Sequence, residues 1–180
     1  MKLPRTLRLD PSDTLVFERA AEPGEWAVTG SFLFWDADVP ALTGKARAAF
    51  RAGFVGVRSL GFSTLVVVQE AAEAEHDAAV EDLARHIHAR FGAPSLDHAR
   101  AAAREELAFA ASLCDHPENT VLAMHRTFED GRIREQFRSL QPRERTPGAD
   151  RLHAAARAFE FVEVDEPEER VDLLGLMGKR

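Results

Sequence analysis

The sequence holds one cysteine, Cys114, and no tyrosine. A lone thiol forms no internal disulfide, so the stapled frameworks of small secreted domains are excluded. Long apolar runs are missing too. The most apolar stretch, Leu65-Val66-Val67-Val68, falls far short of the ~20 residues that cross a bilayer. Met1-Lys2-Leu3-Pro4-Arg5 puts no apolar segment behind its positive charge, so no signal peptide is expected. Basic charge is in deficit, with 23 Lys and Arg against 30 Asp and Glu and a formal net charge of −7. That balance excludes a general basic face for nucleic acid. The bases are nearly all arginine, which with the missing tyrosine reads as the mark of a GC-rich genome. The nucleotide-binding pattern G-x-G-x-x-G, a Walker loop and the G-x-S-x-G elbow are all absent. A cytoplasmic protein with no cofactor, no membrane and no nucleic-acid partner is therefore expected.

What is present is an ordinary globular composition, 45% hydrophobic and 29% charged over 180 residues. This length suits one domain and buries a core without staples. Residues 7–9 alternate as a short edge strand, and residues 14–19 (TLVFER) read as a strand. Residues 26–35 read as its hairpin partner, with Trp26, Val28, Phe32 and Phe34 at even spacing and Gly30 as a bulge. A helix is expected over 40–52, closed by Gly53 and Gly56, and a central strand over 63–70 with apolar residues on both faces. Helical stripes follow at 73–91 and 96–113, the second capped by Ser95. The clearest hairpin is 120–128 with 132–140 around Asp130-Gly131. A polar linker with two prolines, a helix at 149–158, a strand at 159–164, an acidic stretch at 165–169 and an apolar tail complete the chain.

The order ββαβααββ, then αβ, predicts an α+β fold: a mostly antiparallel sheet with helices on one face, a two-layer sandwich. Residues 1–141 are expected to form the core domain. Residues 142–180 are expected to be a linker and a helix/strand extension packing on the core or on a partner.

Few residues carry a chemical signal. Asp36 and Asp38 follow an aromatic strand and, with Trp35, make the best ligand-pocket candidates. Capping of the next helix accounts for the two carboxylates more plainly. Cys114, His116 and His125 are candidate metal ligands; a buried thiol and a loop histidine are the plainer reading, since zinc wants three or four ligands. Cys114 also falls at a helix C-terminus, where the dipole disfavours a reactive thiolate. Glu105 and Glu106 read as part of a solvated helix face.

Surface apolar residues say more. Phe32, Phe34 and Trp26 share the expected core face, which leaves Trp35 and Leu33 as an exposed apolar spot suited to a partner. Leu173, Leu174, Leu176 and Met177 form a second such cluster, too short to fold alone; it packs on its own domain, on a twin subunit or on a partner.

The stretches Gly30-Ser31-Phe32-Leu33-Phe34-Trp35-Asp36-Ala37-Asp38 and Ala110-Ala111-Ser112-Leu113-Cys114-Asp115-His116-Pro117, with a hairpin joining His125-Arg126-Thr127 to Ile133-Arg134-Glu135, resemble a family of uncharacterised alphaproteobacterial proteins. The resemblance covers Lys2 to about Arg143 and transfers no catalytic residue. It implies a setting near accessory proteins of molybdenum or formate-dehydrogenase-type redox enzymes. The expectation is a non-enzymatic accessory or interaction protein, self-associating or bound to a protein partner, that supports assembly of such an enzyme. A small-molecule-binding or enzymatic domain with its pocket at Trp35, Asp36 and Asp38 is the alternative, and metal binding at Cys114 and His116 the third.

Overall fold

A computed structural model describes residues 1–142 and 161–163. The helix expected at 149–158, the acidic stretch, and the tail with Leu173, Leu174, Leu176 and Met177 lie outside the described residues.

The chain forms an α+β fold with antiparallel ladders, as its pattern predicts, but divides them between two sheets. The first element, β1 (Lys2–Leu7), is an edge strand of the larger sheet. It is followed by α1 (Ser12–Val16), a short helix where a strand was expected. The TLVFER segment buries only Phe17; Leu15 and Val16 are exposed. Asp13 carries the segment instead. Its buried carboxylate accepts from the Thr64 backbone N–H and, at 2.6 Å, from the Thr64 hydroxyl. This satisfied buried acid anchors the turn of helix to Thr64.

The expected strand over 26–35 shrinks to β2 (Ala27–Val28) and then turns into a 3-10 helix, Ser31–Phe34. Gly30 makes the break. Its φ is +76°, and a Cβ there would lie 2.2 Å from Val55 Cγ2, so only glycine fits. Phe32 and Phe34 are both buried, but in separate clusters. Phe32 meets Phe91 edge-on at 5.4 Å, and Phe34 meets Phe50 edge-on at 5.2 Å. Their even spacing thus arises from a turn that straddles two cores. A second 3-10 turn, Val39–Ala41, and α2 (Gly44–Ala52) replace the single helix expected over 40–52. Asp38 sits at the N-cap of that turn without a side-chain capping bond.

β3 (Phe54–Gly56) and β4 (Phe62–Ser63) complete the smaller sheet, in the order β2-β3-β4. β5 (Leu65–Glu70), α3 (Glu73–Arg90) and α4 (Leu96–Ser112) follow the expected stripes closely, and Ser95 caps α4 by accepting from the His98 N–H. β6 (Val121–Glu129) and β7 (Arg132–Pro142) form the hairpin. Asp130 and Gly131 both have positive φ, 52° and 73°, the geometry of a tight two-residue turn. The larger sheet runs β1-β5-β6-β7-β8, where β8 (Phe161–Glu163) pairs with the end of β7. Residue 142, expected to begin the linker, belongs with residue 141 to that ladder.

Three apolar clusters hold the layers together. α3 and α4 close over Leu3, Val28 and Val55. Ala27 and Phe54 of the smaller sheet join Val66, Val68, Leu122 and Met124 of the larger. Phe17, Phe34, Val39 and Phe50 join α2 to the aromatic turn. The turn at 31–37 therefore sits where α2, α4 and the β6–β7 hairpin approach one another.

Candidate functional site: an aromatic cleft over a buried arginine

Alternation along β6 puts Leu122, Met124, Arg126 and Phe128 on one face. The two-residue turn sets the register so that Arg126 stands opposite Glu135, Met124 opposite Phe137 and Phe128 opposite Ile133. An arginine in an apolar row must find partners for its donors. Each of the three nitrogens of Arg126 finds one: Nε donates to Glu135 Oε1 at 2.9 Å, Nη1 to the Phe50 carbonyl at 2.7 Å and Nη2 to the Thr29 carbonyl at 2.6 Å. Its guanidinium carbon also lies over the Phe34 and Phe50 rings, 5.4 and 5.8 Å from their centroids. The residue is 1% exposed. Burial lowers its pKa and Glu135 opposes that shift; a guanidinium keeps its proton regardless.

Glu106 reaches the same place from α4. It is half-buried rather than part of a solvated face, and its Oε2 has no hydrogen-bond partner among the described residues. Burial first, then the nearby charge of Glu135, pushes its pKa up to about 7, while Arg126 pulls against them. Two carboxyls and one guanidinium thus share a partly dry site.

Above this cluster lies an open cleft of about 610 Å³. The aromatic turn gives it Ser31, Phe34, Trp35 and Ala37, α4 gives Phe109, and the hairpin gives Phe128, Ile133, Glu135 and Phe137. Trp35, Phe109 and Phe128 are exposed at 73%, 44% and 39%, an unusual concentration of large apolar side chains on one rim. A second cleft, of about 400 Å³, opens beyond Phe128 between α2 and β6.

Of the residues singled out from sequence, Trp35 lines the first cleft, whereas Asp36 and Asp38 are exposed outside both linings. Leu33 is half-buried, packed between two of the core clusters. Cys114 is buried beside Ala27 and Phe54, and its thiol donates to the Ala110 carbonyl at 3.5 Å. Burial pushes its pKa up to about 11, with Lys2 pulling weakly the other way. The His116 carbonyl accepts from Lys2 Nζ, and His125 meets Arg51 instead. Among the described residues, no group of three His, Cys, Asp or Glu side chains is placed to hold a metal ion.

The sequence reading missed Glu106, Phe109, Phe128 and Phe137, and gave Arg126 and Glu135 no role. Signals for several were present. Glu106 stands three residues after Ala103 and seven after Ala99, on the stripe that packs inward. The Asp130-Gly131 turn fixes Arg126 against Glu135 once it is read as a two-residue loop.

The fold and cleft describe an α+β domain with an aromatic recess over a buried ion pair. The chain belongs to the DUF6505 family, a family of unknown function whose model matches residues 1–158. No curated protein and no solved structure shows significant similarity to it. No helix among the described residues is long and apolar enough to cross a membrane.

Proposed function

We propose that the protein is a protein-interaction module whose aromatic cleft seats an apolar segment of a partner. The observation that carries this reading is the rim: Trp35, Phe109 and Phe128 are exposed around one recess lined by Glu135, which Arg126 holds in place. Exposed tryptophan beside a rigid recess is the usual make-up of an interface hot spot. The cleft's openness favours a partner over a small molecule, because small-molecule sites enclose most of their ligand's surface. Comparing what co-purifies with the wild-type chain and with Trp35→Ala at native expression tests this. One protein recovered in stoichiometric amount with the wild type and lost with the variant supports it. An unchanged set of co-purifying proteins counts against it. The resemblance to proteins set near redox-enzyme accessory factors, and that alone, makes a subunit or assembly factor of a molybdenum or formate-dehydrogenase-type enzyme the first partner to look for.

A second reading, a small-molecule site, draws on Glu106, a carboxyl with one oxygen unpartnered and a pKa near 7, whose charge is felt by the cleft-lining Glu135. Native mass spectrometry that detects a low-mass ligand released by Phe137→Ala would favour it.

A further inference from the structure

We propose that the second cleft is an oxyanion site, taking a carboxylate or phosphate group on Arg47 and Arg51, with His125 orienting Arg51. The α2 helix places Arg47 and Arg51 one turn apart on one face, and both line this recess with His125 and Thr127 of β6. Arg51 Nη2 lies 3.4 Å from His125 Nε2, where the guanidinium donates to the ring nitrogen, so His125 orients Arg51 at the mouth of the recess. Like charges four residues apart on a helix repel. Nothing relieves that repulsion here: neither arginine has a carboxylate partner among the described residues, and no Asp or Glu lines the cleft. This is notable in a chain with a net charge of −7.

Glu129, on the strand next to Phe128, is the carboxylate that could have served. It accepts from the Thr127 hydroxyl at 3.1 Å and pairs with Arg134 at 3.3 Å. Arg126 also borders the recess, but each of its nitrogens already donates inward, to Glu135, Phe50 or Thr29, and the side chain is buried. It forms wall rather than ligand contact. Val39, Pro40, Phe50 and Phe128 make the remaining walls apolar, which strengthens the pull of the guanidinium groups on an anion. Guanidinium forks match the planar oxygens of carboxylate and phosphate, so the ligand class follows from the donors.

The test is calorimetric titration of the full chain with inorganic phosphate and, separately, acetate, at constant ionic strength set with chloride. Arg47→Gln/Arg51→Gln and His125→Gln are titrated alongside. All three positions lie at the surface or half-buried, and an unchanged melting temperature without anion verifies folding. Saturable binding by the wild type, weakened about tenfold or more in the double variant and less in His125→Gln, is expected, since charge-assisted contacts carry the affinity. Phosphate tighter than acetate assigns a phosphoryl-bearing ligand, and the reverse order a carboxylate-bearing one. Equal binding by the double variant, or no saturable binding of either anion, overturns the proposal. Trp35→Ala leaves anion binding unchanged, so failure here is separable from failure of the interaction reading.

Discussion

Arg126 and Glu135 face each other across the β6–β7 ladder, and Arg126 Nε donates to Glu135 Oε1 at 2.9 Å with the arginine side chain wholly buried. The pair ties the hairpin to the Phe50 carbonyl at the end of α2 and to the Thr29 carbonyl before the aromatic turn. One side chain thereby joins the hairpin to α2 and to the start of the aromatic turn.

Removing one member of such a pair leaves a buried charge without its partner, which costs far more than the pair itself contributes. Arg126→Met is expected to lower stability by roughly 3–5 kcal/mol. Adding Glu135→Leu should recover part of that loss, though the Phe50 and Thr29 carbonyls stay unpaired. Urea unfolding of the two singles and the double measures the coupling. Strictly additive losses would show that the ion pair does not hold this junction.

Glu106 makes stability depend on pH. Its pKa is about 7 in the folded protein against 4.5 for an ordinary glutamate. Between those values the folded state keeps a proton that the unfolded state has lost. Stability therefore falls as pH rises through this window, and the full penalty, on the order of 3 kcal/mol, applies above it. Glu106→Gln removes the proton and should flatten this part of the profile, gaining on the wild type at pH 8 relative to pH 5. Urea midpoints at the two pH values decide it; parallel profiles for both proteins would refute the assignment.

Cys114 is predicted to be inert. With its thiol pKa near 11 and the side chain sealed against Ala27 and Phe54, a thiolate at pH 8 is rare and out of reach. A disulfide-exchange reagent should modify it slowly in the native protein and rapidly in guanidinium. Fast native labelling would mean that this end of α4 opens readily.

The parts of the fold that were legible in sequence are those where one period and one cap agree. α3, α4 with its Ser95 cap, and the Asp130-Gly131 hairpin came through within a few residues. The aromatic turn did not, because Phe32 and Phe34 mimic strand alternation while serving two different cores, and because only the tertiary fit of Gly30 against Val55 forces the break. The division into two sheets escaped for a similar reason. β2, β3 and β4 are two or three residues long, too short for any periodic signal. At the candidate site, Trp35 was legible as an exposed residue after a buried run. The expectation for Asp36 and Asp38 rested on sequence adjacency, and the turn at 31–37 carries them away from the cleft it lines. Phe109 and Phe137, which meet at 6.2 Å, come together only through long-range packing of α4 on the hairpin.

The interaction reading rests on the aromatic rim, and site-specific photo-cross-linking in cells tests it most directly. A benzophenone side chain placed at Phe109 or Phe128 replaces one exposed aromatic by another; the same group at Leu15, more exposed still on α1, is the control. A single discrete adduct from Phe109 and Phe128, absent from Leu15 and abolished by Trp35→Ala, is the predicted result. Adducts of equal yield from all three positions, or from Leu15 alone, would contradict the assignment of the cleft as the binding surface.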